Sequence, residues 1–296
     1  MKIISYSIFG REQYYKHGVR RNIALAKKLF PGWVVRLYVE KETQTDIISE
    51  FSDIDNVELI IKSQRFPYDG AHWRLLPMQE GHEIVIIRDV DTTLIDRDVA
   101  LVEDWLDTPY KYHVARDEPG MKSTLMGGIW GAKSPRLDVK TMFDKYFKNK
   151  KSEAVIDLGF LNKCVYPIVR KDLVVYTEFN VYEGESHIRK IPHTIKKDKD
   201  GVYQAIGSRV FSDISDADDN INEISDLNFT RKKESGRNGA KWFNERYDNS
   251  HIVIRRPRYK YPNPVRNFLY MLSYYIVDKG FFVLMKKLYD RVLFFK

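Results

Sequence analysis

The sequence predicts an α/β fold with a mostly parallel central sheet and helices on both faces. Two observations lead there. Short β-rich runs alternate with helical patterns through the first half of the chain, the order that builds a parallel sheet. The run EIVIIR at 83–88 is short and apolar, as a strand covered on both faces should be. The 296 residues are 43% hydrophobic and 30% charged, which suits a packed core and excludes an extended disordered chain.

Taken in order, IISYSI at 3–8 reads as the first core strand. Its apolar residues are interrupted by Ser and Tyr, and charge arrives at Arg11, so it lacks the apolar stretch of a secretory leader. Residues 20–30 have helical spacing, with Ile23, Leu25, Ala26 and Leu29 mostly on one side, and Pro31-Gly32-Trp33 ends them. VVRLYV at 34–39 is a second strand, residues 43–51 a helix, and VELIIK at 57–62 a third strand. The fourth, 83–88, precedes a helix that Asp96 or Asp98 is placed to cap. Val99, Leu101, Val102, Trp105 and Leu106 give that helix its apolar stripe. Beyond it, 111–115 and 173–177 read as strands and 139–147 and 154–165 as helices. Six acids without a base fill 212–229, which reads as a solvated linker.

The strongest local signal is IVIIRDVDTTL at 84–94. An apolar strand runs directly into Asp89 and Asp91, and in open α/β sheets ligands bind beyond the carboxyl ends of strands. Two carboxylates at i and i+2 on a strand exit converge once the chain turns. Hard oxygen ligands suit Mg²⁺ or Mn²⁺, ions usually shared with substrate phosphates, so a diphosphate is the expected ligand. The competing structural role is that the two acids only cap the turn.

Around this motif the sequence resembles a group of small bacterial and viral GT-A glycosyltransferases. The resemblance rests on ISYSIFG ending at Gly10, YYKHGVRRN at 14–22, FPGW at 30–33, HWRLLP at 72–77, RDVDTTL at 88–94, RDEP at 116–119 and GGIWG at 127–131, in that order. It spans roughly residues 1–210. It implies a Rossmann-like GT-A domain and a hexosyltransferase-like activity that moves a sugar from a nucleotide diphosphate sugar, UDP-linked rather than GDP-linked, to a glycan or lipid-linked acceptor.

The resemblance also implies site roles. Asp91 is the expected principal ligand of Mn²⁺ or Mg²⁺, with Asp89 on the ribose, sugar or metal. Ser7, Phe9, Gly10, Tyr15, Arg74, Arg88, Asp89, Gly127 and Gly128 are expected around the nucleotide sugar. A guanidinium at Arg74 suits bidentate oxygen recognition, and glycines at 127 and 128 let backbone approach the sugar. Trp130 reads as core rather than as a sugar platform. His187 and His193 are candidates for a further metal ligand. Related enzymes often carry D-Q-x-F-L on a later helix; here DLGFLN at 157–162 keeps Asp157 but has Leu158 in place of the amide. Asp157 is the candidate acid at the acceptor or anomeric centre, with Asp117 and Glu118 as alternates.

Two rival functions remain. DVDTTL also resembles the first motif of haloacid-dehalogenase-type phosphatases, with Asp89 as nucleophile and Asp91 as acid, but the motif follows three strands rather than opening the fold. A degenerate, non-catalytic GT-A subunit is favoured by Leu158 and Gly159 and opposed by the intact Asp89 and Asp91. An EF-hand at 216–227 is rejected, since Ile221 and Leu227 replace the required glycine and acid.

The net charge of +8 is carried by the end of the chain: residues 251–296 hold ten bases and two acids, which accounts for the whole excess. A neutral core argues against a nucleic-acid partner. Apolar residues at 265–277 and 281–295, flanked by lysines and arginines, predict two helices suited to an anionic membrane interface or to packing on the core. The expected organisation is a catalytic domain at 1–211, an irregular linker at 212–262 and an amphipathic basic helical tail at 263–296. The single cysteine, Cys164, excludes an internal disulfide. The longest uncharged stretch of the tail, 267–277, is too short to span a bilayer. The expected location is cytoplasmic or peripheral to a membrane.

Overall fold

The computed structural model describes residues 1–10, 13–148, 156–197, 203–207 and 253–255. Its centre is an eight-stranded sheet in the order β3-β2-β1-β4-β6-β5-β7-β9. The strands are β1 (Lys2–Ile8), β2 (Val34–Glu40), β3 (Val57–Lys62), β4 (Ile84–Arg88), β5 (Tyr112–Arg116), β6 (Ile129–Lys133), β7 (Leu173–Thr177) and β9 (Ile188–Arg189). All neighbours are parallel except β6, which runs against both β4 and β5. β8 (Asn180–Tyr182) pairs in parallel with β10 (Val253–Arg255) as a separate two-stranded sheet. β10 falls within the stretch expected to be linker, so the chain returns there to pair with the body of the fold. The acidic run at 212–229 and the tail at 263–296 lie outside the described residues.

Alternation along the strands sorts two cores. In β4, Ile84 and Ile86 enter one cluster while Val85 and Ile87 enter the other. The first cluster packs beneath α1 (Gln13–Leu29), α2 (Thr45–Phe51) and α3 (Asp96–Leu106). The second packs beneath a 3-10 segment, Asp69–Gln79, and the helices α4 (Val139–Phe147) and α5 (Ile156–Phe160). Each fully buried Leu, Ile or Val contributes about 1.5–3 kcal/mol by leaving water. α5 continues through a π-helical turn, Leu161–Val165, into the short α6 (Tyr166–Val169).

Several elements differ from expectation. α1 begins seven residues earlier than the apolar spacing indicated, and Tyr15 and Val19 of its first turns already pack on the first core cluster. Neither Asp96 nor Asp98 caps α3: Ile95 occupies the cap position without a side-chain bond, and Asp98 instead pairs with Arg88. β6 and the 3-10 segment were not expected, since two glycines mask the strand and Pro77 interrupts the helical pattern. Among the described residues no helix is long and apolar enough to cross a membrane.

Candidate active site

The order of the sheet makes a crevice. β1 lies between β2 and β4, so the chain leaves β1 toward one side and returns at β4 on the other. Ligands in open α/β sheets bind at such a reversal, outside the carboxyl ends of the strands. Phe9 and Gly10 follow β1 there, and Asp89 follows β4. Because β6 is antiparallel, its first residues rise beside the end of β4, with Arg88 opposite Ile129. That register sets Gly128 against Asp89: a Cβ on Gly128 would lie 2.2 Å from Asp89 Oδ2 and 2.7 Å from its backbone nitrogen.

Arg74, from the 3-10 segment, joins the acids. Its Nη2 lies 2.9 Å from Asp89 Oδ1 and 2.7 Å from Asp157 Oδ2. Burial opposes the charge on Arg74, but the Asp89, Asp157 and Asp91 carboxylates outweigh it and raise its pKa, so it stays a cation. Asp157 is shifted up, chiefly by burial and further by Asp89, against the pull of Arg74. Gly127 completes the contact; a Cβ there would meet Arg74 Nη2 at 3.1 Å and Asp157 Oδ2 at 3.3 Å. Thus Arg74, Asp89, Asp157, Gly127 and Gly128, expected from sequence to share a site, do come together. Arg74 Nε and Ser7 Oγ are buried with no hydrogen-bond partner among the described residues. Buried polar atoms are normally paired, and exceptions mark places where a ligand or water is missing.

Two helices hold this arrangement. Asn162, in the π-turn, accepts from the backbone N–H of Thr124 at 2.7 Å and of Leu125 at 3.1 Å, and donates to the Leu158 carbonyl at 2.6 Å. It therefore ties the helix bearing Asp157 to the loop leading into Gly127. π-turns interrupt helices mostly at functional positions. On the other sheet face, α1 crosses the turn after β4. A Cβ on Gly18 would fall 1.8 Å from the Val90 carbonyl oxygen, so the helix and the turn touch backbone to backbone. Asn22, one turn on, donates to the Thr92 carbonyl at 2.8 Å and accepts from Leu94 N–H at 3.1 Å.

At the end of β1, Gly10 adopts φ +82°, in the region open chiefly to glycine. Its N–H donates to Glu40 Oε2 at 2.7 Å, and its carbonyl accepts from Gln44 Nε2 at 2.5 Å. Phe9 sits edge-on to Trp73 at 6.4 Å. Tyr15 is close enough to Arg74 to add to the field that raises its pKa. Glu40, Gln44 and Asn22 were not singled out from sequence. Their signal would have been a buried polar residue within a helix or at a strand end, which composition alone does not reveal.

Other expected site residues have structural partners. Arg88 is buried and forms a two-pronged pair with Asp98, Nε to Oδ2 at 2.9 Å and Nη2 to Oδ1 at 2.7 Å. It also donates to the Ile87 and Trp130 carbonyls, so its guanidinium faces the fold and not a nucleotide. Asp117 is likewise saturated: Arg97 donates at 2.9 and 2.8 Å and Ile206 N–H at 2.9 Å. Burial raises its pKa, against the effect of Arg97. These contacts make it a clamp between α3 and the 203–207 segment rather than a catalytic acid. His187 bonds the Tyr110 hydroxyl through Nδ1 at 2.7 Å, and its carbonyl accepts from Val175. It precedes β9, which is separated from β4 by β6, β5 and β7, and so does not join Asp91. The His193 carbonyl accepts from Arg97. Among the described residues no group of three or more His, Cys, Asp or Glu side chains is placed to hold a metal ion. Trp130 is fully buried in the core, as expected.

No protein-family model and no curated protein matches the chain. Solved structures do. A glycosyltransferase involved in glycosylation of the major capsid of PBCV-1 is 13% identical over 62% of this chain and 85% of that chain, with a TM-score of 0.41. A mannosyltransferase from Pyrobaculum calidifontis, in complex with GDP-Man and Mn²⁺, is 11% identical over 64% of this chain and 56% of its own, with a TM-score of 0.40. A 4-diphosphocytidyl-2C-methyl-D-erythritol synthase from Anaerococcus prevotii is 11% identical over 59% and 88%, with a TM-score of 0.39.

Proposed function

We propose that the protein is a glycosyltransferase that moves a sugar from a nucleotide diphosphate sugar to a hydroxyl acceptor, with a divalent cation at the turn after β4. The observation that carries this reading is the meeting of Arg74 with Asp89 and Asp157 at the reversal of the sheet, packed against two glycines whose missing side chains leave room for these three groups.

Charge supports it. One guanidinium faces Asp89, Asp157 and Asp91. A crevice with that surplus of carboxylate repels a bare diphosphate and accepts one that arrives with a dication. Asp89 and Asp91 supply hard oxygen atoms that suit Mg²⁺ or Mn²⁺, ions that are commonly bound by one or two carboxylates while substrate phosphates and water complete the shell. The residues present fit such an ion. When bound, it neutralises charge on the departing diphosphate.

The chain's own groups do the rest. Arg74 donates hydrogen bonds toward the diphosphate or the sugar and holds Asp157 in place. Asp157, pushed toward its protonated form by burial, is suited to exchange a proton with a sugar or acceptor hydroxyl. Gly127 and Gly128 let the backbone approach the sugar. Donor identity favours a UDP-sugar, and the acceptor is a glycan or lipid-linked sugar. The basic tail at 263–296 would keep the enzyme at an anionic membrane surface. Deletion from Asn263 onward should then abolish liposome binding and spare donor turnover.

The test is a thermal-shift screen of nucleotide sugars with and without Mn²⁺, because a ligand of the folded state raises its stability. A shift for one donor that needs Mn²⁺ and is lost in Asp91→Ala supports the reading. No shift for any donor, with phosphate released from an aryl phosphate instead, would sink it in favour of the phosphatase alternative.

A further inference from the structure

We infer that Asn22, on α1, is a positioning residue that sets the Asp89 and Asp91 carboxylates for the cation. This rests on the functional reading above and extends it to a residue outside the crevice.

The turn after β4 is held by its buried Val90 and Leu94 side chains and by polar contacts. Within it, Thr92 bonds back to the Asp89 carbonyl through its backbone N–H at 3.3 Å and its hydroxyl at 2.9 Å. On the α1 side one buried amide also grips its backbone. Asn22 Nδ2 donates to the Thr92 carbonyl at 2.8 Å and, in a longer contact of 3.4 Å, to the Val90 carbonyl. Asn22 Oδ1 accepts from Leu94 N–H at 3.1 Å. The side chain is 1% exposed. It therefore brackets Asp91, holding the residue before it and the residue after it by their carbonyls.

The chemistry of the contact requires an amide. Two carbonyls need two donors and one N–H needs an acceptor, and only Asn or Gln offers two N–H donors and an acceptor from one planar amide. The shorter of the two fits because α1 already touches the turn at Gly18. A glycine inside a helix costs about 0.5–1 kcal/mol relative to alanine, and here it permits that approach. Groups that orient metal ligands without touching the metal typically change its affinity about 10–100-fold when removed.

The experiment measures binding of Mn²⁺ alone to the full chain by calorimetry or by the electron paramagnetic resonance of free Mn²⁺. Variants are Asn22→Ala, Asn22→Asp and the core control Val174→Ala, with melting temperature recorded for each. Asn22→Asp keeps the acceptor for Leu94 and loses the donor to the two carbonyls. The expected result is Mn²⁺ affinity about 10-fold or more weaker in both Asn22 variants, with the control unchanged at equal or greater loss of melting temperature. Should Asn22→Ala fail to fold, Asn22→Asp carries the comparison. Mn²⁺ affinity within twofold of the parent in a folded Asn22 variant overturns this inference alone, as does an equal loss in Val174→Ala. Absence of Mn²⁺ binding by the unsubstituted protein, both alone and with UDP present, overturns the functional reading, and this inference with it.

Discussion

Asp89 occupies the space that a side chain at residue 128 would fill: a Cβ on Gly128 would stand 2.2 Å from Asp89 Oδ2. The acid follows β4 and the glycine precedes β6, its antiparallel neighbour, so neither can move without the other. Gly128→Ala should displace the carboxylate and abolish Mn²⁺-dependent donor binding. Overpacking of this kind costs about 1–3 kcal/mol, which a urea midpoint would register beside the binding loss.

Arg74 and Asp157 form a pair in which each side chain is mostly buried. Removing one partner of such a pair leaves an uncompensated charge, at a cost of about 3–5 kcal/mol. Arg74→Ala should therefore lower both stability and turnover. Arg74→Lys should recover most of the stability and little of the rate, because an ammonium cannot present two directed donors in one plane. Steady-state kinetics with melting curves for both variants checks this, and equal rates for Lys and Arg would remove Arg74 from the chemistry.

Asp117 and Asp157 are both buried acids paired with an arginine, yet their variants should behave differently. Asp117→Asn weakens the clamp that Arg97 and Ile206 make and should reduce stability while turnover per folded molecule stays within a few-fold. Asp157→Asn leaves Arg74 paired with Asp89, so it should keep much of the stability, and lose about 10²–10⁴ in rate if the carboxyl transfers a proton. Measuring unfolding and single-turnover rates side by side separates the two.

His113 gives a pH dependence. It is fully buried beside Trp105 and Gly131 with neither ring nitrogen paired, and burial holds its pKa well below the ordinary 6.5. His72, also buried, is lowered to about 4. In both cases the unfolded chain binds protons more readily than the folded one. Their contribution to stability is present above pH ~6.5 and declines as pH falls below it, by up to about 1.4 kcal/mol per pH unit for each group. His113→Leu should flatten the fall of the urea midpoint between pH 6.5 and 4.5.

How much of this was legible in the sequence depends on the range of the interaction. Strand β4 and its two acids could be read because an apolar run followed by D-x-D is local information. The sheet order around it could not, since β6 is five residues long and begins after two glycines. Arg88 and Asp117 look like ligands because they are charged and sit at strand ends. Their partners, Asp98 and Arg97, lie ten and twenty residues away and only folding brings them close. Asp98 illustrates the same limit from the other side: a carboxylate in the first turn of a helix fits a capping role, but a buried guanidinium nearby is the stronger attraction. Asn22 carried no signal in isolation, because an amide on a helix reads as solvent-facing until the turn it grips is in view.

Trp130 lies opposite Ile87 and Gly128 lies against Asp89, and the pairing of β4 with β6 fixes both relationships. A slip of β6 by one residue would turn the indole from one core into the other and carry Gly128 off the acid, because neighbouring residues on a strand face opposite ways. The cost of repacking Trp130 thus guards the geometry of a polar centre. Changes in length between Arg116 and Gly127 should not be tolerated, because Arg116, Asn162 and Asn180 grip the backbone of that loop from Pro119 to Leu125 and make it part of the frame around the acids.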